Sequence, residues 1–194
     1  MPTPSQLILA SASPRRQQIL KDAGYAFTVY PASVDEESFP ATLKPGDVAE
    51  FLAEQKANSV AEKFAEDVVL GADTVVAYLD TLLGKPRDPA DAGRMLRLLS
   101  GTTHSVITGI AVVHAAAGLF RHTRVLSAVS MRQLTDDEIA QYVASNEWQG
   151  KAGGYGIQDP DPFVTRTSGS HSNIVGLPLE AAADLLREAG ITPG

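Results

Sequence analysis

Asp73 stands directly after the apolar run Val68-Val69-Leu70, within Gly71-Ala72-Asp73-Thr74. Where a central strand opens on a cleft, such a carboxylate can hold a metal or take a proton from water. Asp at a strand end is also an ordinary turn residue, so the position gains meaning only from what accompanies it. Cations accompany it elsewhere in the chain. In Ser13-Pro14-Arg15-Arg16, Ser13 suits a helix N-cap and Pro14 the first helical position, which puts both arginines in the first turn. Two cations there oppose the helix dipole; an anion bound at the helix start resolves the conflict, and two solvated surface arginines are the plainer alternative.

Gly84-Lys85-Pro86-Arg87-Asp88 offers a second basic pair on a constrained loop. It lacks the spacing of a P-loop, so Lys85 acts as a point charge from another scaffold or the segment is a plain turn. Lys56 lies four residues from Leu52 and from Val60, on the apolar stripe of its helix. A snorkelling stem and a buried phosphate contact both fit that position. Asp35-Glu36-Glu37 reads as a solvated acidic loop or as the source of a second metal ligand beside Asp73. The glycines of Lys151-Ala-Gly-Gly-Tyr-Gly-Ile-Gln158 let backbone approach a ligand closely. His104, His114, His122 and His171 show no ligand spacing and receive no role.

Composition narrows the partners. The chain has 194 residues, 44% of them apolar and 20% charged, enough to fold around a sizeable core. Sixteen Lys and Arg against 23 Asp and Glu give a net charge of −7. Such a surface disfavours a nucleic-acid backbone or an anionic membrane, and any phosphate must be met by a few placed cations. Cysteine is absent, which excludes disulfides and thiolate metal sites. Met1 to Gln6 carry no basic n-region, and no run reaches the roughly 18 apolar residues of a membrane span. The expected location is the cytoplasm.

The elements that must position these residues follow from the pattern. Gln6 to Ala10 reads as a strand, Arg15 to Ala23 as a helix stopped by Gly24, and Phe27 to Pro31 as a second strand. Asp47 to Phe64 has helical spacing, and Val68 to Tyr78 is strand-like with an interruption at Gly71-Ala-Asp73. Pro89 to Leu99 is a helix, and Ser105 to His114 with Leu119 to Arg132 forms a long antiparallel pair. Asp136 to Ser145, a strand near Phe163 to Thr167 and a last helix from Leu179 to Ala189 complete the chain. Helices and strands mix without strict βαβ alternation, so the fold class is α/β or α+β on a mixed sheet. Residues 1–194 are expected to form a single domain.

Taken in order, Ser11-Ala-Ser-Pro-Arg-Arg16, Gly71-Ala-Asp-Thr74, Gly84-Lys-Pro-Arg87, Lys151-Ala-Gly-Gly-Tyr-Gly-Ile-Gln158 and Val175-Gly-Leu-Pro178 closely resemble the Maf family, from about Leu7 to Leu186. The resemblance implies an elongated mixed sheet with two lobes around a nucleotide cleft, similar to inosine triphosphate pyrophosphatases. It implies hydrolysis of a nucleoside triphosphate to the monophosphate and pyrophosphate, with a divalent cation, Mg²⁺ or Mn²⁺, and frequent homodimers. Asp73 looks like the family's catalytic acid, activating water or anchoring the metal, and Glu36 looks like a pocket residue. Arg16, Lys56 and Lys85 look like triphosphate ligands, and Ser11 like a pocket residue. Two departures stand out: Gly150 replaces an Asp common among relatives, and Asp159-Pro-Asp-Pro162 replaces a small-residue segment.

Three further positions bear on the base. The family's 7-methyl-GTP branch has Trp, Gln and Glu where this chain has Arg15, Thr74 and Gln158, the residues of its dTTP/UTP branch. A Trp face favours a cationic methylated purine, and Arg15 does not. Glu only accepts hydrogen bonds, whereas Gln158 can donate to a carbonyl and accept from N3–H of uracil or thymine. The expected substrate is therefore a pyrimidine triphosphate. The rival class is a nucleotide-sensing regulator, of cell division for instance, that uses the same pocket without turnover.

Overall fold

The computed structural model describes residues 5–79, 81–160 and 163–194. Met1–Pro4, part of the segment read for a leader, and Asp161-Pro162, part of the second departure, lie outside the described residues. Helix starts are set by local chemistry. The Ser13 side chain caps α1 (Pro14–Asp22) with Pro14 in the first turn, and Asp88 caps α3 (Pro89–Leu99) in the same way. Thr135 and Glu138 form a reciprocal capping box on α4 (Asp136–Ala144). α2 (Pro45–Ala61) begins at Pro45 without a side-chain cap, so its hold comes from packing.

The strands β1 (Leu7–Leu9), β2 (Phe27–Val29), β3 (Val68–Tyr78), β4 (Thr81–Leu83), β5 (Thr103–His114), β6 (Leu119–Met131) and β7 (Val164–Ser168) make one mixed sheet. Its order is β2-β1-β3-β5-β6-β7, with β4 on β3. β1 runs parallel to β2 and β3; the other pairs are antiparallel. α5 (His171–Val175) and α6 (Leu179–Glu188) close the chain.

One side of β3 is shared. β1 pairs with its start at Val68–Leu70 and β4 with its end at Val76–Tyr78, leaving 71–75 without a strand partner there among the described residues. The other side pairs continuously with β5 through Gly71↔Ala111 and Asp73↔Gly109. The interruption expected at Gly71-Ala-Asp73 is thus absent. Glycine reads as a strand breaker when its missing side chain has no purpose, but here the missing side chain admits α2. A Cβ on Gly71 would lie 2.7 Å from the Ala57 amide nitrogen, and one on Gly109 would strike the Ala49 backbone. Ala49, Ala53 and Ala57 face them, fully buried. Small residues on both partners bring the helix backbone onto the sheet.

The core divides on either side of this gap. Leu7, Leu9, Leu70, Ile110, Leu177 and Leu186 form one cluster, and Val76, Leu96, Leu99, Val106, Val129 and Met131 form another. Of residues 71–75 of β3, Ala72 belongs to the first cluster and Val75 to a smaller one with Ala49 and Ile107. Sequence patterning missed two elements, β4 and α5, both too short for periodicity to reveal.

Candidate active site

Consecutive residues of a strand face opposite sides of a sheet. Asp73 accordingly turns toward α2, and Thr74 toward α1 and α5. On the α2 side, Lys56 is 5% exposed, so its ammonium does not snorkel to solvent. It donates to Asp73 Oδ1 at 2.5 Å and meets Glu36 Oε1 at 2.7 Å. Glu36 Oε2 receives Lys85 Nζ at 2.5 Å. The result is an alternating chain of charges, Asp73–Lys56–Glu36–Lys85, drawn from a strand, a helix and two loops. Burial works to raise the Glu36 carboxyl, but hydrogen bonds from Lys56 and Lys85 outweigh it and hold it at about 2.

On the opposite face, the Arg16 guanidinium is held by neutral acceptors. Its Nε donates to the Gly176 carbonyl at 2.8 Å, Nη1 to Ser11 Oγ at 3.0 Å and Nη2 to Thr74 Oγ1 at 3.1 Å. Thr74 Oγ1 in turn lies 2.9 Å from Thr108 Oγ1. Burial lowers the Arg16 pKa from its ordinary value, while the charges of Asp73 and Glu36 act to raise it. Among the described residues, no carboxylate is in direct contact with Arg16. Arg15 Nη2 donates to the Gly150 carbonyl at 3.1 Å, tying the start of α1 to the glycine-rich loop.

These residues line one cleft of about 550 Å³, within the usual range for small-molecule sites. Five cationic side chains (Arg15, Arg16, Lys56, Lys85, Lys151) face it against three carboxylates (Glu36, Asp73, Asp159). The chain as a whole carries −7, so the sign of charge is reversed here. Nine positions singled out from sequence meet at this cleft, Ser11, Arg15, Arg16, Glu36, Lys56, Asp73, Thr74, Lys85 and Gln158, whereas Arg87 of the second basic pair does not line it and pairs with Asp91. Gln158 is exposed and makes no hydrogen bond among the described residues. The first turn of α1 does carry two cations without an acid, as the motif implied.

Sequence reasoning missed three participants. Tyr155 lines the cleft, and its hydroxyl lies 2.5 Å from His104 Nε2, so a histidine given no role supports the wall from behind. Thr108 links Thr74 to the Asn173 carbonyl. Asp159 gathers hydrogen bonds from the loop around it. Nothing local announces the Tyr155–His104, Thr108–Asn173 and Asp159–Tyr142 contacts, because their partners lie on separate segments.

Glu36 and Asp73 both direct a carboxylate oxygen at the single Lys56 ammonium. Two carboxylates converging on one cationic point are hard oxygen donors of the kind Mg²⁺ or Mn²⁺ takes alongside phosphate oxygens and water. The donor set fits such an ion. Among the described residues, the three-ligand cluster is a different one, Glu50, Glu54 and His122, and it does not line the cleft.

The mixed α/β sheet leaves residues 71–75 of β3 without a strand partner on one side, and a cleft with more cations than carboxylates opens there around Asp73. A family model described as Maf-like protein matches residues 6–189, and the chain belongs to that family. A protein of Moorella thermoacetica named dTTP/UTP pyrophosphatase is 46% identical over 188 residues, covering 96% of each chain. One of Pelotomaculum thermopropionicum with the same name is 42% identical over 95% of this chain and 97% of its own. A Bacillus cereus (strain AH820) protein, also so named, is 42% identical over 96% of both.

Proposed function

We propose that the chain is a nucleoside triphosphate pyrophosphatase acting on dTTP and UTP, working as a single domain. The observation that carries this reading is the Asp73–Lys56–Glu36–Lys85 charge chain at the gap in β3, facing Arg16 across the strand. Arg16, Lys56 and Lys85 bind the phosphates, and Ser11 and Thr74 fix the Arg16 guanidinium. Asp73 takes a proton from the attacking water as its oxygen bonds to the α-phosphorus. The bond from that phosphorus to the bridging oxygen breaks, and pyrophosphate leaves with its charge met by the cations. Glu36 and Asp73 are the residues that would hold Mg²⁺ or Mn²⁺, which neutralises phosphate charge and polarises the reacting group when bound.

Gln158 reads the pyrimidine edge, and its unengaged amide supports that role. A cytoplasmic location is in keeping with the finding that no helix among the described residues is long and apolar enough to cross a membrane. A homodimer is in keeping with exposed Phe120 and Leu126 on β6, where β7 pairs only beyond residue 127. The decisive experiment measures pyrophosphate release from UTP, dTTP, CTP and GTP, with and without Mg²⁺. Metal-dependent release fastest from UTP and dTTP is the expected result. Tight binding without release would make the chain a nucleotide sensor and end the enzymatic reading.

A further inference from the structure

We infer that Asp159 is the positioning residue that sets base specificity, by locking the turn that presents Gln158; the inference rests on the nucleotide reading above. Gly156 to Asp159 form that turn, with Ile157 and Gln158 at its centre. The Asp159 amide donates to the Gly156 carbonyl at 3.4 Å, a weak closure by itself. The Asp159 carboxylate supplies the strong one. Its Oδ2 accepts from the Gly156 amide at 3.0 Å and from the Tyr142 hydroxyl at 2.5 Å, while Oδ1 accepts from the Lys151 ammonium.

The three donors come from three places: the start of the turn, helix α4, and the start of the glycine-rich loop. Its side chain is only 9% exposed and that of Lys151 12%, so the ion pair is shielded from water. Tyr142 is itself fixed against Phe163, ring centroids 4.9 Å apart and nearly perpendicular. Gly156 must be glycine for this contact, since a Cβ there would meet Asp159 Oδ1 at 2.6 Å. A clamp of this kind removes the freedom of the two central residues. Gln158, which makes no hydrogen bond of its own among the described residues, is aimed by the backbone that the clamp fixes. Discrimination between bases needs that amide placed before the base arrives, because a mobile side chain adapts to either edge.

Asp159 touches neither phosphate ligand nor Asp73, so its loss is read at the base and not at the chemistry. The test compares Asp159→Ala, Asp159→Asn and Tyr142→Phe with wild type, on UTP, GTP and a base-free methyl triphosphate. Asp159→Ala is expected to raise KM for UTP about tenfold and cut the UTP-to-GTP preference by a similar factor, the usual cost of one misplaced polar contact. Turnover of methyl triphosphate stays near wild type. Asp159→Asn, which keeps acceptors for Gly156 and Tyr142, recovers part of the preference, and Tyr142→Phe, which spares the fold, loses part of it. Glu147→Gln removes only the distant second partner of Lys151, at 3.5 Å, and leaves the preference unchanged. An unchanged UTP-to-GTP preference in folded Asp159→Ala overturns the inference, as does an equal fall on all three substrates. Binding of UMP and GMP reads the same contrast without turnover, so a wild type that releases no pyrophosphate sinks the functional reading separately from this one.

Discussion

Asp73 gives one carboxylate oxygen to Lys56 and keeps the other free of hydrogen bonds among the described residues, available to whatever enters the cleft. Asp73→Asn preserves the shape and removes the charge. A drop in kcat of about 100-fold or more is expected, the usual worth of a positioned base, with the far-UV circular dichroism spectrum retained because Lys56 keeps Glu36 as partner. Near-normal kcat in that variant would remove Asp73 from the chemistry. Lys85 is half exposed and among the described residues pairs only with Glu36, so Lys85→Ala leaves the fold undisturbed. It should weaken UTP about tenfold and UMP little, since the outer phosphates are its targets; equal weakening moves it out of the phosphate site. Gln158→Glu sets a carboxylate against a pyrimidine carbonyl, and kcat/KM for UTP should fall by about tenfold while GTP loses less or gains. The residue types of this cleft were legible in the sequence because they break local rules: two cations in a helix's first turn, a lysine on an apolar stripe. Tyr142 and Tyr155 obey local rules and find their partners, Asp159 and His104, across 17 and 51 residues of chain, so no pattern exposed them.

At the scale of elements, the site depends on how closely α2 lies on the sheet. Ala49, Ala53 and Ala57 recur every four residues and meet Gly71 and Gly109, which brings Lys56 within reach of Asp73. Gly109→Ala forces a methyl group into the Ala49 backbone and must push the helix outward. A loss of about 1–3 kcal/mol or more is expected from overpacking, measured by urea unfolding, together with a lower kcat because Lys56 moves with the helix. Gly84→Ala is the control for stability, since a Cβ there meets nothing within 4 Å. Should Gly109→Ala unfold at the wild-type urea concentration, the close approach of α2 is not what holds the site. Element types and order were readable from periodicity, caps and prolines, down to the Ser13 cap of α1. The sharing of one edge of β3 between β1 and β4 was not. Sheet order depends on pairings between segments far apart in the chain, and the one visible trace of the gap, Gly71-Ala-Asp73, was misread as a break in the strand.

Across the whole molecule, a net charge of −7 repels a triphosphate, and the five cations of the cleft reverse that field only locally. Acid acts on this balance through two groups, Glu36 and His104, both held below their ordinary pKa. Glu36 is held at about 2, below its ordinary value, so its stabilising effect is complete above about pH 4.5 and fades as pH falls toward 2. His104 responds earlier. It is 3% exposed, its only hydrogen bond among the described residues is to Tyr155, and burial lowers its pKa to about 4 from 6.5. Between those values the unfolded chain takes up a proton that the folded chain refuses, so stability falls as pH drops from 6.5 toward 4. The full loss from this one group is at most about 3 kcal/mol, reached near pH 4. Below that, protonation of the imidazole takes away the acceptor nitrogen and places a charge behind Tyr155, a wall of the cleft, so activity should decline along with stability. The measurement is Tm from pH 7 to 4 for wild type and His104→Gln, which cannot titrate. The variant starts lower at pH 7 through altered packing, but its Tm should change less between pH 6.5 and 4.5, a range in which Glu36 stays ionised in the fold. Parallel curves for the two proteins would mean that His104 binds its proton in the folded state, and that the contact with Tyr155 survives an imidazolium.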